Sequence, residues 1–357
     1  VSTQSTGQVT IPANKQQTAA NNTLFQHIEA VKQLMQFSGK NTCYSPFSLM
    51  HALLMLSHTS KDGAIDELLK QLRLDQTSML QLSQAVKKDS SIALAADVFQ
   101  KSILQIQPAF KQLMMQHFGC VPEKLVSAEQ VNKWCADHTN QRIVQIVDDI
   151  SYVETILISA IHFKANWKFQ FSKQKTTQKP FNGFKGATQK QMMAMKRKFA
   201  YAETETAQVL SMEYAGSGIN ARIILPKTSQ QFDTAMNQQN LSAQLRQEEV
   251  TLELPQFTLE STFKLKEVLQ QLGVQKIFQH IDCKETLGFD MFVDSIIQKT
   301  FIKVDEEGTE AAAVTAVMML KCSAMRQEND YRMICDRPFW FVLQMNGAPI
   351  FVSSIVE

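Results

Sequence analysis

The side chains best suited to catalysis or metal binding in this chain are seven histidines and six cysteines, and their spacing does not organise them. The cysteines fall at Cys43, Cys120, Cys135, Cys283, Cys322 and Cys335 with no C-x-x-C. In a chain of 357 residues that pattern favours free thiols over a disulfide scaffold or a zinc site. His117 and Cys120 could supply two metal ligands, but two more are not at hand. A surface histidine beside a buried thiol is the simpler reading. No G-x-S-x-G, H-E-x-x-H, EF-hand loop, P-loop or G-x-G-x-x-G occurs, and Gly216-Ser217-Gly218 reads as a short turn. Without a nucleophile beside a base, an enzyme is not expected, nor is a cofactor or a metal.

Charge narrows the partners. Lys and Arg total 36 against 34 Asp and Glu, a net +2, so nucleic acid is not suggested. Lys196-Arg197-Lys198, with Lys164, Lys168, Lys173 and Lys175 before it, could hold a glycosaminoglycan. Three adjacent charges are more often a solvated face. No run of 18 apolar residues occurs, so no membrane partner is expected. Residues 1–22 are polar, lack an apolar signal core and read as a flexible tail, which leaves cytoplasmic and secreted settings both open. The sequons at Asn21 and Asn240 matter only in the second.

One stretch offers chemistry of another kind. Residues 304–322 read VDEEGTEAAAVTAVMMLKC, short of large side chains until Met318. Thr309 could cap a helix that Ala311, Ala312 and Ala313 would favour. The same residues also alternate as a strand. Thr309, Ala311, Ala313, Thr315, Val317 and Met319 would share one face, and Glu310, Ala312, Val314, Ala316 and Met318 the other. Gly308 just before them is a natural hinge.

The rest of the chain must position this stretch. Helical spacing runs through residues 23–74, broken at Tyr44-Ser45-Pro46-Phe47-Ser48 and at Lys61-Asp62-Gly63. Residues 91–98 alternate as a buried strand, and 108–117 and 127–139 read as helices. Residues 155–163 form a continuous apolar strand suited to the centre of a sheet. Beyond residue 180 strands dominate. A helix is expected over 263–272, stopped by Gly273, and Asn346-Gly347 marks a hairpin between two apolar strands. No linker or repeat divides the chain, so it reads as one α+β body.

Several motifs now line up. The run from Val304 to Thr315 lies ahead of Asp336-Arg337-Pro338-Phe339. Upstream are Tyr44-Ser45-Pro46, Asn132-Lys133-Trp134 with Thr139, and Ala160-Ile161-His162-Phe163-Lys164 before Trp167. Met192-Met193, Tyr214, Ile224-Leu225-Pro226 and Pro255-Gln256-Phe257 complete the set. In this order the chain resembles the serpins, the serine protease inhibitor family, over residues 23–356.

The resemblance implies three β-sheets with about nine helices in one domain over residues 23–357, with an exposed reactive centre loop at about 306–335. It identifies Glu306, Glu307, Gly308, Thr309, Glu310, Ala311, Ala312, Ala313, Val314 and Thr315 as the loop's hinge. In inhibitory members a target serine protease, or a cysteine protease as a second class, cuts the loop and is trapped as an acyl-enzyme while the hinge inserts into the central sheet. A working monomer is implied. The alternative is a non-inhibitory carrier or chaperone-like binder; such members tend to carry bulky or charged hinge residues, and this hinge carries none from Ala311 to Thr315. About twelve ladder hydrogen bonds at about 1 kcal/mol each put the gain from insertion on the order of 10 kcal/mol.

Ser45, Ser48, Ser159 and Gln298 match the shutter that keeps the central sheet closed, and Trp167 lies at the breach beneath the loop. Ser159 stands where asparagine is usual and Gln298 where histidine is usual; both can still donate and accept. Gln141-Arg142 replaces a usual Gly-Lys pair, and Ser353 a usual glycine. Counting forward from the hinge places the scissile bond at Cys322-Ser323, with Lys321 and then Arg326 as the next candidates. An exposed cysteine there would be open to oxidation.

Overall fold

A computed structural model describes residues 15–35, 37–102, 106–309 and 330–357. The helices are α1 (Lys15–Leu34), α2 (Pro46–Leu56), α3 (Gly63–Gln71), α4 (Gln76–Lys87), α5 (Pro108–His117), α6 (Ala128–His138), α7 (Phe232–Ala235), α8 (Gln238–Leu241), α9 (Lys266–Gln271) and α10 (Lys284–Leu287). The strands are β1 (Thr42–Tyr44), β2 (Ile92–Gln100), β3 (Glu123–Lys124), β4 (Thr155–Phe163), β5 (Ala165–Asn166), β6 (Thr177–Gly183), β7 (Gly186–Glu203), β8 (Ala207–Glu213), β9 (Ile219–Pro226), β10 (Arg246–Pro255), β11 (Phe257–Lys264), β12 (Ser295–Val304), β13 (Gly308–Thr309), β14 (Tyr331–Ile334), β15 (Phe339–Met345) and β16 (Ala348–Ile355).

Local chemistry explains the first elements. Ser45 caps α2 by accepting from the Ser48 N–H, and Pro46 supplies the fixed φ of a first turn. Every residue of α2 is buried, so this helix lies within the core, packed against β2, β4 and β16. Of the flexible tail expected over residues 1–22, residues 1–14 lie outside the described residues, and 15–22 belong to α1. Alanines and glutamines favour helix there, and Ala20 is buried in the core. At the other end Asn346 and Gly347 take φ of 50° and 83°, the two left-handed positions that a type I′ hairpin between β15 and β16 requires. The helix expected over 263–272 begins later, at Lys266, because Phe263 and Lys264 pair with Gln298 and Ile297 as the end of β11.

Hydrogen bonds join the described strands into two networks, the larger of which links two of the expected sheets through one long strand. The larger runs β1-β16-β15-β9-β8-β7-β10-β14, with β6 on β7. The 18-residue β7 is the reason for the fusion. Its first part pairs β6, its middle β10 and its end β8, so one strand serves what the family resemblance counts as two sheets.

The second sheet runs β3-β2-β4-β12-β13-β5, with β11 on the other edge of β12. Its centre is the parallel pair β4–β12, in register from Ser295 opposite Ile156 to Phe301 opposite His162. No strand lies between them along these pairs. β4 is buried at all nine positions, which is why it reads as a continuous apolar run. One face rests on the main core with α2. The other is covered by α6 through a smaller cluster that includes Phe99, Trp134, Ile146, Ile158 and Ile297.

Candidate functional site

The chain leaves β12 at Val304 and turns sharply. The Asp305 carboxylate accepts from the Glu307 and Gly308 N–H groups at 3.0 and 3.3 Å, and the Asp305 N–H donates to the Gly308 carbonyl at 2.9 Å. This turn returns Gly308 and Thr309 to the sheet as β13, on the edge of β12 that β4 occupies lower down. Thr309 sits opposite Val304 and Ala165, and Gly308 opposite Asn166. The start of the hinge thus stands at the upper end of the β4–β12 seam.

Gly308 is required there by contact more than by hinge freedom, since its φ lies outside the left-handed region. A Cβ would fall 2.2 Å from the Ala165 carbonyl oxygen and 2.6 Å from the Asn166 Cα, both backbone. Thr309 is fully buried, its hydroxyl 2.6 Å from that of Tyr214. The Tyr214 ring stacks on Trp167 at 4.3 Å. Trp167 in turn reads the turn backbone: its indole N–H donates to the Asp305 carbonyl at 2.9 Å and its main-chain N–H to that of Glu307 at 2.8 Å. Phe171 N–H holds the Glu306 carbonyl at 2.9 Å. The Glu306 carboxylate, nearly buried, accepts from Thr176 at 2.6 Å and Gln256 at 2.7 Å, while Glu307 pairs with Lys173 at 2.5 Å.

Lower in the seam, Ser45, Ser48, Ser159 and Gln298 converge, all fully buried. Gln298 lies opposite Ser159 across β4–β12. Its amide brackets the Ser45 backbone, accepting from the N–H at 3.1 Å and donating to the carbonyl at 2.8 Å. Ser45 Oγ donates to the Ile350 carbonyl at 2.7 Å, and Ser48 and Ser159 share a hydroxyl hydrogen bond. Both strands of the seam are therefore tied to the first turn of α2.

The five resemblance-derived positions Ser45, Ser48, Ser159, Gln298 and Trp167, and Glu306 to Thr309 of the hinge, are all in the described structure. Glu310, Ala311, Ala312, Ala313, Val314 and Thr315 lie outside the described residues, as do Lys321, Cys322, Ser323 and Arg326. Sequence reasoning did not single out Thr176, Gln256 or Thr300. Gln256 lay inside a matched motif and was the nearest to being found. Thr300 donates to the Cys43 carbonyl at 2.6 Å, one more tie between β12 and the segment before α2.

The basic triplet does not make one face. Successive strand side chains alternate, and Lys196 is taken by Glu249 and Asp330, each at 3.1 Å. Among the described residues no group of three or more His, Cys, Asp or Glu is placed to hold a metal, and no helix is long and apolar enough to cross a membrane.

The family model for serpins, serine protease inhibitors, matches residues 19–357, and the chain belongs to that family. It is 31% identical over 356 residues to alaserpin of Manduca sexta, covering 89% of this chain and 88% of that one. It is 33% identical over 241 residues to the human leukocyte elastase inhibitor, covering 61% and 62%. Among solved structures it superposes on Serpin48 of Tenebrio molitor with a TM-score of 0.84 at 23% identity, over 98% of this chain and 99% of that one. It superposes on native-state tengpin, a thermophilic serpin, with a TM-score of 0.83, also at 23% identity, over 99% and 96%.

Proposed function

We propose that the chain is a protease inhibitor that traps a serine protease covalently by inserting its cut loop into the central sheet. The observation that carries this reading is the seating of Gly308 and Thr309 at the end of a seam whose two strands pair directly. A cut loop continuing from Thr309 would have its first ladder contacts made and its path marked.

The sequence suits that path. Thr309 turns its hydroxyl to Tyr214 in the main core. By strand alternation Ala311, Ala313, Thr315, Val317 and Met319 follow on the same face, small first and larger later. The protease serine attacks the carbonyl of the scissile residue, the loop is cut, and the acyl-enzyme ester joins protease to loop. Entry of the hinge between β4 and β12 then carries the protease away from its working geometry before water can hydrolyse the ester. Cys322-Ser323 is the preferred bond, with Lys321 and Arg326 next. The names of the relatives, inhibitors of elastase among them, support an inhibitory role.

The test is a panel of serine and cysteine proteases scored for a complex that survives denaturing electrophoresis, with mass spectrometry of the released peptide. Cleavage without complex at every protease would overturn trapping and favour a carrier. Cleavage outside residues 320–327 would overturn the assignment of the bond.

A further inference from the structure

Away from the seam, one guanidinium is placed as a receptor. Arg197 turns opposite to its two lysine neighbours on β7, and its guanidinium carbon lies 3.2 Å from the Phe169 ring centroid and 5.6 Å from that of Phe199. Stacking occupies the flat faces of a guanidinium and leaves its in-plane N–H edge to recognise oxyanions. Among the described residues only Nε is engaged in a hydrogen bond, donating to the Lys198 carbonyl at 3.2 Å. Among the described residues no carboxylate pairs with Arg197. The acid nearest in role, Glu213, is held by Lys168 at 2.5 Å. Partial burial lowers the Arg197 pKa, and the nearby Glu213 charge opposes this only in part.

A cavity of about 100 Å³ opens beside this group, lined by Phe169, Arg197, Ser211, Glu213 and Gln247 among others. The volume suits one small headgroup. Ser211 and Gln247 add polar atoms to its wall. An extended polyanion fits poorly, because the cavity holds one small group and Lys196 is already paired with Glu249 and Asp330.

We propose that this cavity binds a single carboxylate through the Arg197 edge, supplied by an acidic side chain of a docked protein or by a free organic acid. Occupancy bears on the hinge. Phe169 lies midway between Trp167 and Phe171, whose N–H groups hold the Glu307 and Glu306 carbonyls.

The test uses the full chain labelled with 15N. Sodium acetate is titrated against sodium chloride at matched ionic strength while the arginine Nε–H resonances are followed, with the Arg197 signal assigned by its loss in Arg197→Lys. The expected result is a saturable shift of that signal with acetate and none with chloride, weakened in Phe169→Leu, which retains an apolar side chain. A response to acetate no larger than to chloride overturns the proposal. The source is read separately with a protease from the panel. A fall of about tenfold or more in the association rate of Arg197→Lys places the carboxylate on the protease. An unchanged rate beside an intact acetate response in the natural chain assigns the cavity to a free acid. The acetate arm needs no protease, so it stands or falls independently of the trapping mechanism.

Discussion

Gln298 and Ser159 face each other across the parallel seam of the central sheet, and each is anchored to the same turn of α2, Gln298 to the Ser45 backbone and Ser159 to the Ser48 hydroxyl. The seam is thus held by polar ties beneath it as well as by its own ladder. Removing the Gln298 amide in Gln298→Ala leaves the buried Ser45 N–H without its acceptor and takes a donor from its carbonyl. The orphaned N–H costs about 1–3 kcal/mol, while the carbonyl keeps its bond from the Leu49 N–H at 3.3 Å. The expected outcome is a clear fall in Tm by calorimetry. Retention of Tm within a degree or so would show that the seam does not depend on this tie.

Gly308→Ala tests the seat directly. Its Cβ would meet Ala165 backbone oxygen at 2.2 Å, so β13 must leave the sheet. The Thr309–Tyr214 hydrogen bond goes with it, and the stacked Trp167–Tyr214 pair loses its cover. A change in tryptophan emission and a Tm fall corresponding to about 1–3 kcal/mol are expected, in the range of overpacking a tight site. An unaltered emission spectrum would contradict the seating.

How much of this was legible beforehand depended on the range of the cause. The break before α2, the Asn346-Gly347 hairpin and the apolar run of β4 follow from neighbours in the chain, and each was readable. The fusion of sheets through β7 was not, because pairing partners are set far along the sequence. The clamp on Glu306 was equally hidden, since Thr176 and Gln256 lie 130 and 50 residues away. Motif position located Gly308 but misjudged its reason, which is a backbone contact no pattern shows. The sequon at Asn240 is a related case. The residue is buried and its amide donates to Thr206 and Ala235, which the triplet alone could not reveal.

Gln141 carries a removable strain. It takes φ of 60°, beside Asn140 at 53°, just past α6 where the family usually has glycine. A left-handed conformation costs a non-glycine residue about 1–2 kcal/mol, part of which glycine returns through its greater unfolded freedom. Gln141→Gly also loses the side-chain bond to Asp137 at 3.1 Å, a minor exposed contact. A small net gain, about 0.5–1 kcal/mol, should appear as a raised Tm. A lowered Tm would show that the side-chain contact outweighs the strain.

Asp97 predicts a pH dependence. It is buried in β2, where among the described residues Oδ2 is unpartnered and Oδ1 accepts only the Val98 N–H, at 2.8 Å. Burial raises its pKa well above the ordinary 3.8, the Val98 bond opposes this weakly, and Glu123 adds to it. The folded state therefore keeps a proton that the unfolded chain releases above its ordinary pKa. Stability from this group is full below about pH 4 and declines as pH rises toward the folded value. Asp97→Asn removes the proton linkage while nearly preserving shape. Its Tm should exceed that of the natural chain at pH 7 to 8, with the gap closing toward pH 4. A gap independent of pH would mean that Asp97 is not held protonated.

Thr309 is the residue at which seating and trapping meet. Its hydroxyl is buried against Tyr214, and its backbone pairs with both Val304 and Ala165. Thr309→Arg would place a charge where no carboxylate waits. An unpaired buried cation costs several kcal/mol, comparable to a large part of the proposed insertion gain, so insertion is expected to slow while cleavage beyond the hinge is not. Hydrolysis of the ester then wins. The expected outcome on a denaturing gel is cleaved inhibitor and free protease in place of the covalent band. A covalent band undiminished in Thr309→Arg would show that entry of this residue into the sheet is not part of trapping.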